Sequence, residues 1–280
     1  MNVQVNDFVL EIGSGHNPSA RSNVLCDKFL VDDTQRGGQI VADRPIVEAD
    51  GQYLPFADNS FDYVICRHVL EHVEDPELMI SELERVASRG YIETPSELGE
   101  RLYGWPYHDW ILNQVNDKLI IQKNQLDNQF GHLFHILASR DSDFSRFHQS
   151  YHSLFLIQYE WNEKVKYELV NSDESVLKKE LGNIETLLTN KLSNRSLSRW
   201  YGKILRKAMT DILPTQLTRQ LKSWFAQRHQ SNKNPDLTEI VVCPLCKVDV
   251  EWERDVIICN SCKVAYPIVN HIPRLVPSMN

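Results

Sequence analysis

The sequence predicts an α/β fold, a mostly parallel sheet with flanking helices, followed by a small C-terminal metal-binding ribbon. Three observations predict it. Phe8-Val9-Leu10-Glu11-Ile12 is a short apolar run that ends in Gly13-Ser14-Gly15, the pattern of a buried strand entering a glycine turn. From Phe8 to about Pro95, apolar runs alternate with turns and helical stretches, as βαβ units do. Near the C-terminus, Cys243-Pro244-Leu245-Cys246 and Cys259-Asn260-Ser261-Cys262 place two thiol pairs on two knuckles.

Size and composition bound the rest. At 280 residues the chain can bury a full core, with one large domain and a small one as the natural division. Apolar and charged contents of 42% and 24% are those of a soluble globular protein and exclude a disordered chain. No run of about 18 apolar residues predicts a membrane span. Met1–Asp7 has no basic and apolar leader pattern, so a cytoplasmic protein is expected. A net charge of −8 argues against a surface built wholly for nucleic acid. The charge is uneven, because residues 191–230 hold nine Lys or Arg against the single acid Asp211.

The elements follow in order. Strand one is Phe8–Ile12, strand two Val24–Cys26, strand three Pro45–Ala49 and strand four Asp62–Cys66. Leu78, Met79, Leu83 and Val86 fall at helical spacing in a helix from Pro76 to about Ala87. Gly90–Pro95 is the fifth strand, ended by its proline. Residues 96–150, rich in His, Trp and Tyr, are less regular and form a cap. The β-like runs Tyr151–Tyr159 and Val165–Val170 are expected to close the sheet. This gives a large domain over 1–172, a basic helical segment over 173–230, a polar linker over 231–238 and a ribbon over 239–280. Cys26 and Cys66 stand alone at strand ends, as buried small hydrophobes do.

The four other cysteines suit one tetrahedral zinc held by Cys243, Cys246, Cys259 and Cys262, and two disulfides are the competing reading. The lack of a secretion signal favours zinc. In segment 191–209, Lys191, Arg195, Arg199, Lys203 and Lys207 recur every fourth residue beside an apolar face of Leu197, Trp200, Tyr201, Ile204, Leu205 and Ala208. This predicts a basic amphipathic helix. It has three readings: packing on the large domain, contact with RNA phosphates, or rest on an anionic membrane surface as a peripheral protein.

The block Leu10-Glu11-Ile12-Gly13-Ser14-Gly15-His16-Asn17-Pro18, with Asp27, Asp50, Leu54-Pro55-Phe56, Ser60-Phe61-Asp62-Tyr63-Val64 and His68-Val69-Leu70-Glu71-His72-Val73, resembles the class I S-adenosylmethionine-dependent methyltransferases. The resemblance covers about residues 8–95. It implies a Rossmann-like methyltransferase sheet whose ligand lies at the carboxyl ends of the strands. Gly13 and Gly15 then let the backbone approach the donor, with His16 and Asn17 in the same turn. Asp27 would take the ribose hydroxyls and Asp50, beside Gly51, the adenine amino group. Glu11 would orient the loop around the methionine part, and Cys66, Arg67 and His68 would lie near the sulfonium. Pro18 stands where a dinucleotide fingerprint wants Gly or Ala, and no Gly-Lys-[Ser/Thr] follows, so neither a pyrophosphate site nor a P-loop is expected. Eleven residues between Gly15 and Asp27 leave room for about one turn of the usual first helix. The alternative takes Phe29–Val31 as strand two and Asp32 or Asp33 as the ribose acid.

The resemblance implies in-line attack on an activated methyl carbon, with a base where the acceptor is an alcohol or amine. His68, Glu71, His72, His132 and His135 are the candidate bases, and position favours His68 and His72. The cap offers an acceptor pocket through Trp105, His108, Trp110, His132 and His135, beside Tyr103, Tyr107 and Asp109; a cap that merely packs on the sheet is the other reading. His148 and His152 could bind a metal, but no carboxylate at suitable spacing completes the site. The tail from Cys243 through Tyr266-Pro267-Ile268-Val269-Asn270-His271-Ile272-Pro273-Arg274-Leu275 resembles the small zinc-ribbon protein that activates several tRNA, rRNA and release-factor methyltransferases. His271 replaces that family's glycine, so a different local turn is expected. The resemblance implies a ribbon docked in cis on the methyltransferase domain, or else a stabilising appendage. The expected function is methyl transfer to an O or N nucleophile of a small-molecule or glycan- or lipid-linked acceptor. The alternatives are an RNA or translation-factor methyltransferase and a non-catalytic binding module.

Overall fold

The computed structural model describes residues 1–32, 38–127, 130–170 and 236–277. Asp33, the basic segment 191–209 and linker residues 231–235 lie outside the described residues. The main sheet comprises β1 (Val9–Ile12), β2 (Val24–Asp27), β3 (Ile46–Glu48), β4 (Tyr63–Arg67), β5 (Arg89–Pro95) and β8 (Leu156–Asn162), in the order β3-β2-β1-β4-β5-β8. All neighbours pair parallel except β5 and β8. β1 is buried along its whole length, as a strand covered on both faces must be. Ile12 sits opposite Cys26 on one side and Cys66 on the other, so the carboxyl ends of three strands come level where the strand order reverses.

α1 (Pro76–Val86) follows β4. Asp75 caps it by accepting from the Glu77 and Leu78 amides, both at 3.0 Å, and Pro76 occupies the first turn, where no donor is needed. Met79, Ile80, Leu83 and Val86 form its buried face.

Strand two is Val24–Asp27, not Phe29–Val31; Phe29 and Val31 are exposed. No helix forms between β1 and β2, so the expected single turn is replaced by tight turns over residues 13–23. β8 closes the main sheet, but β9 (Tyr167–Val170) does not join it. The cap contains a hairpin, β6 (Trp110–Val115) and β7 (Lys118–Lys123), turned at Asn116 with φ 56°. β9 pairs parallel with the free edge of β7, giving a second sheet β6-β7-β9. Leu112, Leu119 and Ile121 of the hairpin enter the main apolar core, which fixes this sheet in place. α2 (Glu97–Tyr103), α3 (Gly131–Arg140), α4 (Ser142–Ser150) and the short α5 (His152–Phe155) complete the cap.

After the short α6 (Leu237–Ile240), β10 (Glu251–Trp252), β11 (Val256–Cys259), β12 (Val264–Val269) and β13 (Ile272–Pro273) form the ribbon. Its core is continuous with the large domain: Val241, Cys243, Ile257, Tyr266 and Leu275 share one apolar cluster with Leu54, Phe56 and Met79. Backbone bonds reinforce this contact. Ala57 donates to Ile240 O at 2.8 Å, Val242 to Pro55 O at 3.0 Å and Leu275 to Glu48 O at 2.7 Å. Lys247 reaches Glu82 at 2.6 Å and Leu54 O at 3.1 Å. Among the described residues, no helix is long and apolar enough to cross a membrane.

Asn270 and His271 link β12 to β13 with φ of 53° and 63°. Two positive φ values in a two-residue loop are the mark of a type I′ hairpin turn. The chain thus keeps a conformation suited to glycine and holds a histidine in it, at a cost of about 1 kcal/mol. His271→Gly is expected to stabilise the protein by no more than about 0.5 kcal/mol once the added unfolded-state entropy is subtracted, read as a slightly higher Tm by calorimetry.

Candidate active site

The site is built on the turn after β1. Gly13 and Gly15 adopt φ of 67° and 51°, and the Gly13 amide donates to Cys26 O at 2.9 Å. A Cβ on Gly13 would lie 2.2 Å from Val69 Cγ2, so only glycine lets the turn meet the loop after β4. Glu11 holds this turn from behind. Its carboxylate is fully buried and accepts from the Ser19 amide at 2.6 Å, Ser22 Oγ at 2.8 Å and Arg67 Nη2 at 2.5 Å. Arg67 also donates to Asn17 O at 2.9 Å.

These constraints leave a cavity of about 410 Å³ at the carboxyl ends of β1, β2 and β4. Gly13, Gly15, Asp27, Asp50 and Gly51 line it. Glu11, Arg67 and Cys66 stand outside its lining, with Cys66 fully buried, while His16 and Asn17 are exposed. Asp27 accepts from the Gly15 amide at 3.0 Å through one oxygen and from the Phe29 amide at 3.1 Å through the other. Each oxygen keeps a lone pair for a ligand hydroxyl. Asp50 caps the short 3₁₀ turn Gly51–Tyr53 and pairs with Lys28 at 2.6 Å. Asp32, Glu74 and Asp109 add to the lining, so carboxylates outnumber its one lysine and the cavity suits a cationic ligand.

A second cavity, of about 480 Å³, adjoins the first; His68, His72 and Tyr107 line both. Its wall is aromatic. Trp105 stacks on His108 with centroids 4.9 Å apart, and Tyr103 packs near Trp105, His135 and His148. The structure brings Trp105, His108 and His135 together here. Trp110 instead donates its indole N–H to Val73 O at 2.8 Å, and His132 is exposed; neither lines this cavity.

His68 stands at φ 54° directly after β4, its amide bonded to Glu93 O at 2.8 Å. This strained backbone turns its half-exposed side chain between the cavities. Burial disfavours its charge, but Glu71, 3.4 Å from Nδ1, and Glu93 outweigh that and raise its pKa. Burial, only partly offset by Glu71, lowers the pKa of His72 and keeps it neutral. Glu71 is fully buried; burial opposes its charge, yet His68, His72 and His108 hold its pKa below the usual value. Sequence reasoning missed Glu100, which accepts from His108 Nδ1 at 2.5 Å. Its place on α2 carries no local motif.

In the ribbon, Cys243 Sγ lies 3.8 Å from Cys262 Sγ, and Cys246 Sγ 3.5 Å from Cys259 Sγ. These are free thiols rather than disulfides. The separations match the edge of a tetrahedron of sulfurs about 2.3 Å from one zinc. Lys247 and Lys263, both at positive φ, close matching knuckles by donating to Cys243 O and Cys259 O at 2.9 Å. Hydrogen bonding among the thiols, that of Cys262 first, brings Cys246 down to about 6.

Residues 12–92 match the family model of a methyltransferase domain, and residues 234–270 match that of Trm112p-like proteins. An uncharacterized protein of Methanocaldococcus jannaschii is 39% identical over 83 residues, 29% of this chain and 40% of that one. A demethylmenaquinone methyltransferase of Thermobifida fusca is 27% identical over 132 residues, 40% of this chain and 56% of that one. The chain therefore spans about half the length of these two relatives. A UPF0434 protein of Bradyrhizobium diazoefficiens is 40% identical over 53 residues, 18% of this chain but 82% of that protein. Fold and matches define the class, a protein with a Rossmann-like methyltransferase domain and a second, cysteine-bearing region. That second region belongs to the Trm112p-like family.

The Glu11 network gives a test of how the turn is held. Arg67→Met leaves a buried carboxylate without its cation, and a loss of about 3 kcal/mol in urea unfolding is expected.

Proposed function

We propose that the protein is an S-adenosylmethionine-dependent methyltransferase whose donor occupies the acidic cavity beside the glycine turn and whose acceptor is a small molecule in the aromatic cavity. The carrying observation is the pair of adjoining cavities that share His68, His72 and Tyr107. Their volumes are those of small-molecule sites.

S-adenosylmethionine, when bound, supplies a methyl group already activated on a sulfonium. On this reading Asp27 takes the ribose hydroxyls, and Asp50 with Gly51 borders the adenine. Glu11 and Arg67 act from behind by fixing the turn. The acidic lining favours the donor's positive charge, and Trp105 with Tyr107 excludes water from the acceptor side. His68 and His72 face both cavities and are placed to receive a proton from a hydroxyl or amine. The four ribbon cysteines hold one zinc, and the ribbon acts as an activator docked in cis.

The test is calorimetry with S-adenosylmethionine and with its demethylated product. Micromolar binding of both is expected, and Asp27→Asn should weaken it about 10- to 100-fold, the worth of charged hydrogen bonds. No binding by the intact chain overturns the reading. Transfer of labelled methyl into extracted small molecules is then expected. A second reading, an RNA or translation-factor acceptor, is favoured by the Trm112p-like region and the basic run 191–209. It requires label in RNA or protein instead. Because the ribbon core is shared with the large domain, chelation of zinc should lower the Tm of the whole protein, not of the ribbon alone.

A further inference from the structure

Where the two cavities meet, Glu71, His72 and His108 converge, and the first two carry buried polar atoms without a hydrogen-bond partner. Glu71 is fully buried on the loop after β4, and neither of its carboxylate oxygens accepts a hydrogen bond of normal geometry; His68 Nδ1 is 3.4 Å away. His72 Nδ1 is also buried without a hydrogen-bond partner. The His72 and His108 rings meet edge to face, with centroids 4.5 Å apart. One donor atom from each of Glu71, His72 and His108 lies within 4.8 Å of the others. Fully buried carboxylate oxygens that accept no hydrogen bond of normal geometry are unfavourable unless a further partner compensates them, and His68 at 3.4 Å is half-exposed.

We propose that Glu71, His72 and His108 bind one divalent transition-metal ion at the mouth of the acceptor cavity, separate from the cysteine cluster. Two imidazoles and one carboxylate select a zinc-, iron- or manganese-class ion over magnesium or calcium, which prefer oxygen alone. Donors about 2.1 Å from one tetrahedral ion stand about 3.4 Å apart, so a pair at the 4.8 Å limit closes by roughly 1.4 Å through rotamer adjustment when the ion binds. The outer shell is already present. Glu100, itself buried, binds His108 Nδ1 at 2.5 Å and so fixes the tautomer that leaves Nε2 free to ligate. Carboxylate–histidine–metal relays are built this way. His148 and His152, the pair singled out by spacing, have rings 6.2 Å apart and belong to no three-residue ligand cluster among the described residues.

Three protein ligands leave a coordination position open, and His72 and His108 both line the aromatic cavity. The ion's role rests on the methyltransferase reading, whereas its site does not. In that role it binds the acceptor's oxygen and makes its hydroxyl more acidic, as it does bound water. The acceptor class is then an alcohol, phenol or enol rather than an amine. His72 becomes a ligand, and His68 is left as the group that takes the proton.

The experiment uses the full chain with its cysteines loaded with zinc. Cobalt(II) is titrated in and followed by absorption. One further cobalt per chain is expected, with d–d bands but no thiolate charge-transfer band. Glu71→Gln and His108→Asn should each weaken binding at least tenfold while zinc stays at one per chain. Glu100→Gln, which leaves the three ligands in place, should weaken it about tenfold and covers the case in which Glu71→Gln fails to fold. No cobalt beyond the cysteine site, or equal binding by all variants, overturns the proposal. Donor calorimetry on the same samples separates the two readings. Donor binding without cobalt binding removes only the ion, and cobalt binding without donor binding removes only the methyltransferase role.

Discussion

The carboxylate of Glu11 is the fixed point behind the acidic cavity. It lies in the centre of the sheet, on a strand otherwise made of apolar residues, and is buried completely. Such a charge persists only where hydrogen bonds and a cation surround it, and here two serines and Arg67 do so. Those partners come from the β1–β2 connection and from the end of β4. The connection forms tight turns and no helix, so side-chain bonds to Glu11 supply the order a helix would have given. Glu11 never reaches the cavity lining, yet it sets where Gly13, Gly15 and Asp27 stand.

Much of the fold was legible because its signals are local. The buried runs that became β1, β2 and β4 are short, apolar and ended by turn residues, and α1 carries both a capping aspartate and a proline at its start. The cysteine pairs read as knuckles for the same reason. What stayed hidden was non-local. The hairpin β6–β7 lies in a segment where Asn113, Gln114 and Asn116 blur the period-two pattern, and β9 took its partner from this hairpin rather than from the main sheet. The candidate site divides likewise. Glycines and acids at strand ends were visible from spacing, whereas the pairing of Lys28 with Asp50 and of Glu100 with His108 depends on approach in space. Leu54-Pro55-Phe56 was legible as part of a motif. Its neighbourhood has a second use, because Pro55 O and the Ala57 amide receive the chain entering the ribbon.

The ribbon and the large domain meet as parts of one interior. Their contact combines shared apolar packing, backbone pairing on both sides of Phe56, and the half-buried pair Lys247–Glu82, which also neighbours Arg85. An ion pair of this kind adds register more than energy, since desolvation offsets much of its attraction. Apolar burial and backbone bonds therefore hold the contact, and the charges fix its orientation.

β3, only three residues long, is the outermost strand at one end of the main sheet. Its exposed side is met by the ribbon tail, where Arg274 bridges Glu48 and Leu275 donates to it. An open strand edge is a template for pairing with other molecules, and here the same polypeptide covers it. Because both surfaces belong to one chain, the union is unimolecular, and its occupancy does not fall on dilution as that of two subunits would. An arrangement split into two chains would have to be made in matched amounts, and any excess of the larger piece would carry an adhesive edge. Fusion sets the ratio at one to one and removes that hazard.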